Sequence, residues 1–217
     1  MCEQLRARFL DAQLKGDRRE ALRLLMEEGV HAGVPIADLQ LKVVQEAQRE
    51  IGRLWQENVV TVAQEHMATA IANMALSHLY DLAPNAARNG RKAIIACVDG
   101  ELHEFPARLV ADALDLAGFD VRYLGASVPT DSLVAIVREQ RPDLLALSAT
   151  MAFNAPALRQ AVARVRAEVP PGIRVAVGGG ICEWVSGIAG EVGADVTGGD
   201  ATEFVAAAER LFGVSRA

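Results

Sequence analysis

An all-helical N-terminal half followed by a parallel α/β half is the fold class that this sequence predicts. Three observations carry it. From Cys2 to about Leu82 apolar residues recur at helical spacing with almost no strand-like alternation. A polar stretch, Ala83-Pro84-Asn85-Ala86-Ala87-Arg88-Asn89-Gly90, then has the proline, glycine and asparagines of a linker. After it, short β-rich apolar runs alternate with helical segments. The expected organisation is a helical bundle over 1–82, a linker over 83–90 and an α/β domain over 91–217.

In the first half the spacing predicts helices near 2–14, 17–29, 36–57 and 61–82. They are separated at Gly16-Asp17, at His31-Ala32-Gly33-Val34-Pro35 and around Asn58-Val59-Val60. Four helices joined by short turns predict a four-helix bundle. The last start is the best marked: Thr61-Val62-Ala63-Gln64 fits the capping box, in which Thr and Gln each satisfy an unpaired backbone N–H. Glu65 and His66 then fall in the first turn.

In the second half the strands are expected at Ala93–Val98, Val121–Leu124, Leu144–Ser148, Val175–Val177 and Ala194–Thr197. Helices are expected near 105–117, 130–140, 154–168, 182–191 and 201–212. That alternation predicts a five-stranded parallel sheet. Ligands of such sheets bind beyond the carboxyl ends of the strands, where the strand order reverses. The loops there read Asp99-Gly100-Glu101-Leu102-His103-Glu104-Phe105-Pro106, Gly125-Ala126-Ser127-Val128-Pro129, Ser148-Ala149-Thr150, Gly178-Gly179-Gly180 and Gly198-Gly199-Asp200.

Composition narrows the function classes. The 217 residues are 51% hydrophobic, 5% aromatic and 23% charged, which describes an ordinary folded protein. A net charge of −6, with no basic cluster longer than Arg18-Arg19 or Arg91-Lys92, argues against direct nucleic-acid binding. Cys2, Cys97 and Cys182 are odd in number and far apart, as reduced thiols are. The charged N-terminus is unlike a signal peptide, and no run of ~18 apolar residues occurs, so a cytoplasmic, non-membrane protein is expected.

A histidine in the loop after the first strand can present one ring nitrogen to a metal while a carboxylate takes the proton of the other. Glu101 and His103 have that spacing, although on these residues alone a solvated surface histidine is the stronger reading.

The other loops sharpen it. Glu101-x-His103-x-x-Pro106 is followed by 41 residues, then Ser148-x-Thr150, 27 residues, and Gly178-Gly179. This resembles the cobalamin (vitamin B12)-binding domain family, whose pattern is Asp-x-His-x-x-Gly, 41 or 42 residues, Ser-x-Leu, 26 to 28 residues, and Gly-Gly. The resemblance covers about residues 91–212 and implies a Rossmann-like, flavodoxin-like domain. His103 would then be the lower axial cobalt ligand in place of the cofactor's dimethylbenzimidazole, oriented by Glu101. Ser148 would hydrogen-bond the displaced base, with Thr150 beside it, and Gly178 and Gly179 would let the nucleotide tail pass close to backbone. Three positions depart from the pattern: Glu101 for Asp, Pro106 for Gly and Thr150 for Leu. Proline suits the first turn of a helix.

The helical half adds a second pattern: Trp55, the nine residues Gln56–Gln64, then Glu65-His66. It is similar to the signature of the CarH/LitR-like photoreceptors, which bind adenosylcobalamin. The resemblance implies that Trp55, Glu65 and His66 cap the upper cofactor face. Photolysis of the cobalt–carbon bond would then alter the domain or oligomer arrangement and signal to a partner protein. Carotenoid-repressor members have a histidine directly after the tryptophan that takes the vacated cobalt position. Here it is Gln56, so His66 or water would substitute. Those repressors also carry a winged-helix DNA-binding domain, for which a chain starting at the bundle has no room, so the expected output is an altered oligomer, a partner or an accessory activity. Stand-alone photocobilin relatives pair cobalamin with a bilin, which makes biliverdin a candidate second chromophore. The alternative function is a corrinoid carrier of a methyltransferase system. Either way the expected role is binding rather than catalysis, in a homo-oligomer.

Overall fold

The computed structural model describes residues 1–84 and 86–214. It divides into two compact units, Met1–Pro84 and Asn85–Ala217. Asn85 of the expected linker and residues 215–217 of the expected α/β domain lie outside the described residues.

The first unit has four continuous helical stretches among its described residues. α1 is Cys2–Lys15. α2 runs from Arg18–Arg23 into Leu24–Val30. α3 runs from Ile36–Asp38 through Leu39–Gln45 to Glu46–Gln56. α4 is Val62–Leu82. These follow the expected ranges closely, with one feature the periodicity did not signal: Leu24–Val30 and Leu39–Gln45 are π-helical. One extra residue per turn keeps the apolar positions on the inner face, so the sequence pattern hardly registers the change. Ala68, Ile71, Ala72, Ala75, Leu76 and Leu79 form the buried stripe of α4, at the spacing of a helix with one face in the core. Phe9 and Ala12 of α1, Leu24 and Leu25 of α2, and Val43, Val44 and Ile51 of α3 complete that core. The Thr61–Gln64 capping box forms as predicted, the Thr61 side chain accepting from Gln64 N and the Gln64 side chain accepting from Thr61 N at 2.9 Å.

The second unit is a parallel α/β sheet. Its elements are β1 Lys92–Cys97, α5 Phe105–Leu116, β2 Asp120–Tyr123, α6 Thr130–Gln140, β3 Leu144–Ser148, α7 Ala155–Glu168 and β4 Arg174–Gly178. The short turns α8 Ile181–Trp184 and α9 Ile188–Glu191 follow, and then α10 Ala201–Phe212. The strand order is β2-β1-β3-β4, so the chain reverses direction across the sheet between β1 and β3. Alternate strand residues serve opposite faces. Ile94, Ala96, Leu145, Leu147, Val175 and Val177 pack under α6 and α7, whereas Ala93, Ile95, Leu144, Ala146 and Ala176 pack under α5 and α10.

The structure differs from expectation at three places. The sheet has four strands, not five: the segment expected as the fifth strand, Ala194–Thr197, is reduced to a single parallel bridge from Val196 to Ala176. The ladder cannot lengthen because the chain at Gly198 already lies against the backbone of α10, where an added Cβ would stand 2.8 Å from Phe204 Cα. At the other end the Asp195 side chain caps Val175 N (2.8 Å) and pairs with Arg166 and Arg174. The helix expected over 182–191 is two separate turns, because Val185 is extended and Gly187 is left-handed. Residues 86–90, expected as linker, are fastened to the α/β unit: Arg88 reaches Asp115 at 2.6 Å, and Asn89 N donates to Gly118 O. No helix of the described residues is long and apolar enough to cross a membrane.

Thr61→Ala removes one side of the capping box and should cost about 1 kcal/mol. Urea unfolding followed by circular dichroism measures it, and an unchanged midpoint would show that α4 does not depend on this cap.

Candidate functional site

The loops at the carboxyl ends of β1 and β3 leave the sheet on either side of the reversal, and one buried carboxylate joins them. Glu101 is fully buried. Its Oε1 accepts from His103 N at 2.8 Å and from His103 Nδ1 at 2.5 Å. Its Oε2 accepts from Thr150 N at 2.6 Å, Met151 N at 3.2 Å and Asn154 Nδ2 at 2.8 Å. The loop after β2 braces the same turn, with Ser127 N donating to Glu101 O and Gly100 N to Ser127 Oγ. Pro106 sits in the first turn of α5, as its place in the sequence predicted.

Burial alone would push the Glu101 carboxyl up, but hydrogen bonds from His103, Thr150 and Asn154 overcome it and hold the group at about 2. Glu101 is therefore an ionised, acceptor-only group at any ordinary pH. Glu101 draws the His103 ring proton to Nδ1, the tautomer in which Nε2 is the nitrogen able to meet a metal. The ring is 41% exposed. Among the described residues there is no cluster of three or more His, Cys, Asp or Glu placed to hold a metal ion. Below the loop, burial first and then the charges of Glu101 and Glu104 push the Cys97 thiol up to about 12.

The remaining expected residues of this unit gather at the next two strand ends. Ser148, 6% exposed, ends β3, and its Oγ has no hydrogen-bond partner; Thr150 Oγ1 is likewise buried and unpartnered. Gly178 ends β4, and a Cβ there would meet nothing within 4 Å. Gly179 has φ +91, and a Cβ on it would stand 2.3 Å from Ala149 O, so only glycine fits. Buried hydroxyls beside the open space at Gly178 fit a ligand tail that runs close to the main chain there.

Sequence reasoning missed Asn154, the side-chain donor on Glu101. The Asn154-Ala155-Pro156 helix start was the available signal. It also missed Leu102, Phe153 and Trp184, large apolar side chains left mostly exposed on the loops after β1, β3 and β4.

In the helical unit, Trp55 is half-buried in the last turn of α3, while Glu65 and His66 open α4. Val59 N and Val60 N both donate to Leu54 O, which folds the intervening turn back so that all three lie at one end of the unit. Glu65, 17% exposed, accepts from Thr69 Oγ1 at 2.7 Å and pairs with His66 Nδ1 at 2.5 Å, while the His66 ring is 74% exposed. Gln48, itself bonded to Gln13, donates to Thr69.

A family model described as B12 binding domain matches residues 91–209, and a second with the same description matches residues 5–80. The HTH-type transcriptional repressor CarH of Myxococcus xanthus is 32% identical over 130 residues, 60% of this chain but only 43% of the repressor. Dimethylamine corrinoid protein 1 of Methanosarcina acetivorans is 27% identical over 165 residues, 75% of this chain and 76% of the relative. Among solved structures, the Methanosarcina barkeri monomethylamine corrinoid protein superposes with a TM-score of 0.85 over 97% of this chain and 100% of its own, at 22% identity, a likeness of fold.

The Glu101 contribution to stability is fully present above about pH 4.5, its ordinary value, and is lost as pH falls toward about 2. Glu101→Gln should cost about 1–3 kcal/mol at neutral pH, since an amide turns N–H groups toward the Thr150, Met151 and Asn154 donors. It should also flatten stability over that acid window. Acid unfolding of both proteins tests this, and parallel profiles would exclude Glu101 as the group responsible.

Proposed function

Because the chain belongs to the B12 binding domain family, we propose that it is a corrinoid-binding switch protein that uses adenosylcobalamin, with His103 as the lower axial ligand. The observation that carries the corrinoid part is the Glu101–His103 pair at the strand-order reversal, in which a buried carboxylate holds the ring proton at Nδ1, the tautomer that suits Nε2 to metal binding. Ser148 and Thr150 hold the displaced base, and Gly178 and Gly179 pass the tail. When bound, a corrinoid supplies a cobalt–carbon bond on its upper face that light or a nucleophile can break.

The switch reading rests on Trp55, Glu65 and His66. Trp55 offers a flat surface for an adenosyl group, and the Glu65 carboxylate accepts from its ribose or base. Glu65 orders the His66 ring as Glu101 orders that of His103, which equips His66 as the upper ligand after photolysis in place of the histidine replaced by Gln56. The 32% identity to CarH supports this reading. The output is a changed oligomer or an exposed surface for a partner protein. The family match and the relatives point to a corrinoid and lend no support to biliverdin as a second chromophore. The second reading is a corrinoid carrier serving a methyltransferase, favoured by the resemblance to a dimethylamine corrinoid protein along three quarters of this chain.

Adenosylcobalamin added to the apo chain should give a base-off, histidine-ligated spectrum, and His103→Ala should weaken binding by about tenfold or more. Green light should then change both the spectrum and the elution volume on size exclusion. Identical dark and light samples, together with methyl transfer from methylcobalamin to a partner, would give the carrier reading precedence. His66→Ala should alter the illuminated spectrum, and an unchanged one removes His66 as the upper ligand.

A further inference from the structure

Ser148 Oγ and Thr150 Oγ1 are both buried and both without a hydrogen-bond partner, although they stand only two residues apart. No donor or acceptor of the described residues is placed to satisfy them. The Glu101 carboxylate is committed to His103, the backbone N–H groups of Thr150 and Met151, and Asn154. A buried hydroxyl that gave up water for no partner carries an unrecovered desolvation cost, which an occupant supplying partners removes.

Both residues lie against the turn after β4. Ser148 Oγ is 3.1 Å from the Cβ that Gly179 would carry, and Thr150 O and Cγ2 are 3.2 and 3.3 Å from that of Gly180. Beyond the end of the β3–β4 ladder the turn is tied to this segment by Ala149 N donating to Gly178 O and by Ile181 N donating to Ala149 O, each at 3.1 Å. The turn is therefore lightly fastened over two unsatisfied hydroxyls. One of them departs from the B12-binding pattern, which has leucine where Thr150 stands. A leucine side chain suits an apolar edge, such as the two methyl groups of dimethylbenzimidazole. A threonine hydroxyl leaves a polar atom unpaired beside that edge, and sites with a hydrogen-bonding group discriminate strongly against ligands that cannot meet it.

We propose that Thr150 makes the slot between the ends of β3 and β4 selective for corrinoids whose tail base hydrogen-bonds at two positions, a purine or a hydroxylated benzimidazole, over those with dimethylbenzimidazole. Ser148 meets one position of the base and Thr150 the other. This rests on the corrinoid reading of the site.

The full chain in its apo form is titrated by absorbance with four probes: tail-less cobinamide, cobalamin, an adenine-tailed corrinoid and a hydroxybenzimidazole-tailed corrinoid. At least one polar-tailed corrinoid should bind about tenfold tighter than cobalamin. Thr150→Val, which removes the hydroxyl at nearly constant shape, should erase that ratio, and Thr150→Leu should reverse it. Cobinamide affinity should stay within about twofold in both variants, which shows that the fold and the His103 loop survive. Wild-type protein that binds cobalamin as tightly as the polar-tailed forms overturns the proposal, as does a ratio unchanged in Thr150→Val. If cobinamide binds and the tails make no difference, the corrinoid reading stands and the selectivity fails. If none of the four binds, both fail.

Discussion

The hydrogen bonds converging on the Glu101 carboxylate are the constraint on which the α/β site depends. A parallel sheet whose strand order reverses between β1 and β3 sends the loops after those strands to opposite faces, and nothing in the ladder itself prevents them from drifting apart. Glu101 leaves the β1 loop and collects donors from the β3 loop, so one side chain closes the gap that the topology opens. The same carboxylate contacts the ring of His103, so the group that holds the site together also decides which ring nitrogen carries the proton. A carboxylate one methylene shorter would have to draw the two loops closer to make the same contacts, which is how Glu can stand where the family pattern has Asp.

Much of this was legible because it follows from local rules. Helical and strand periodicities located nearly every element, and Thr61 with Gln64 marked the start of α4 through a cap that the structure contains. Glu101, His103, Ser148 and the Gly178-Gly179 pair stood out by their distances along the chain, since those distances count the elements of successive β–α units. What escaped depends on packing. The run at 194–197 has strand composition, yet α10 crowds it at Gly198 and leaves one bridge. The π-helical stretches preserve the sidedness that periodicity reads. Asn154 acts on Glu101 through space, across more than fifty residues of sequence, so its helix-start setting marks the residue without naming the carboxylate it serves.

The helical unit repeats the arrangement of the α/β unit on a different framework. Glu65 accepts from His66 Nδ1 as Glu101 accepts from His103 Nδ1. The supports differ in kind. Glu101 is fully buried and draws on backbone donors, whereas Glu65 keeps 17% exposure and is steadied by Thr69, Gln48 and Gln13, side chains that can rotate. A permanent ligand calls for the first kind of support, and a ligand needed in only one state is compatible with the second.

Cys97 gives the site one further property. A cobalt centre attracts sulfur as well as nitrogen, and a thiolate at the base of the His103 loop would be a rival for the metal and a reductant beside it. With the thiol held protonated to about pH 12 by its surroundings, and buried in the sheet at the end of β1, the sulfur is chemically silent. A metal that reached His103 would therefore meet an imidazole and not the Cys97 thiolate.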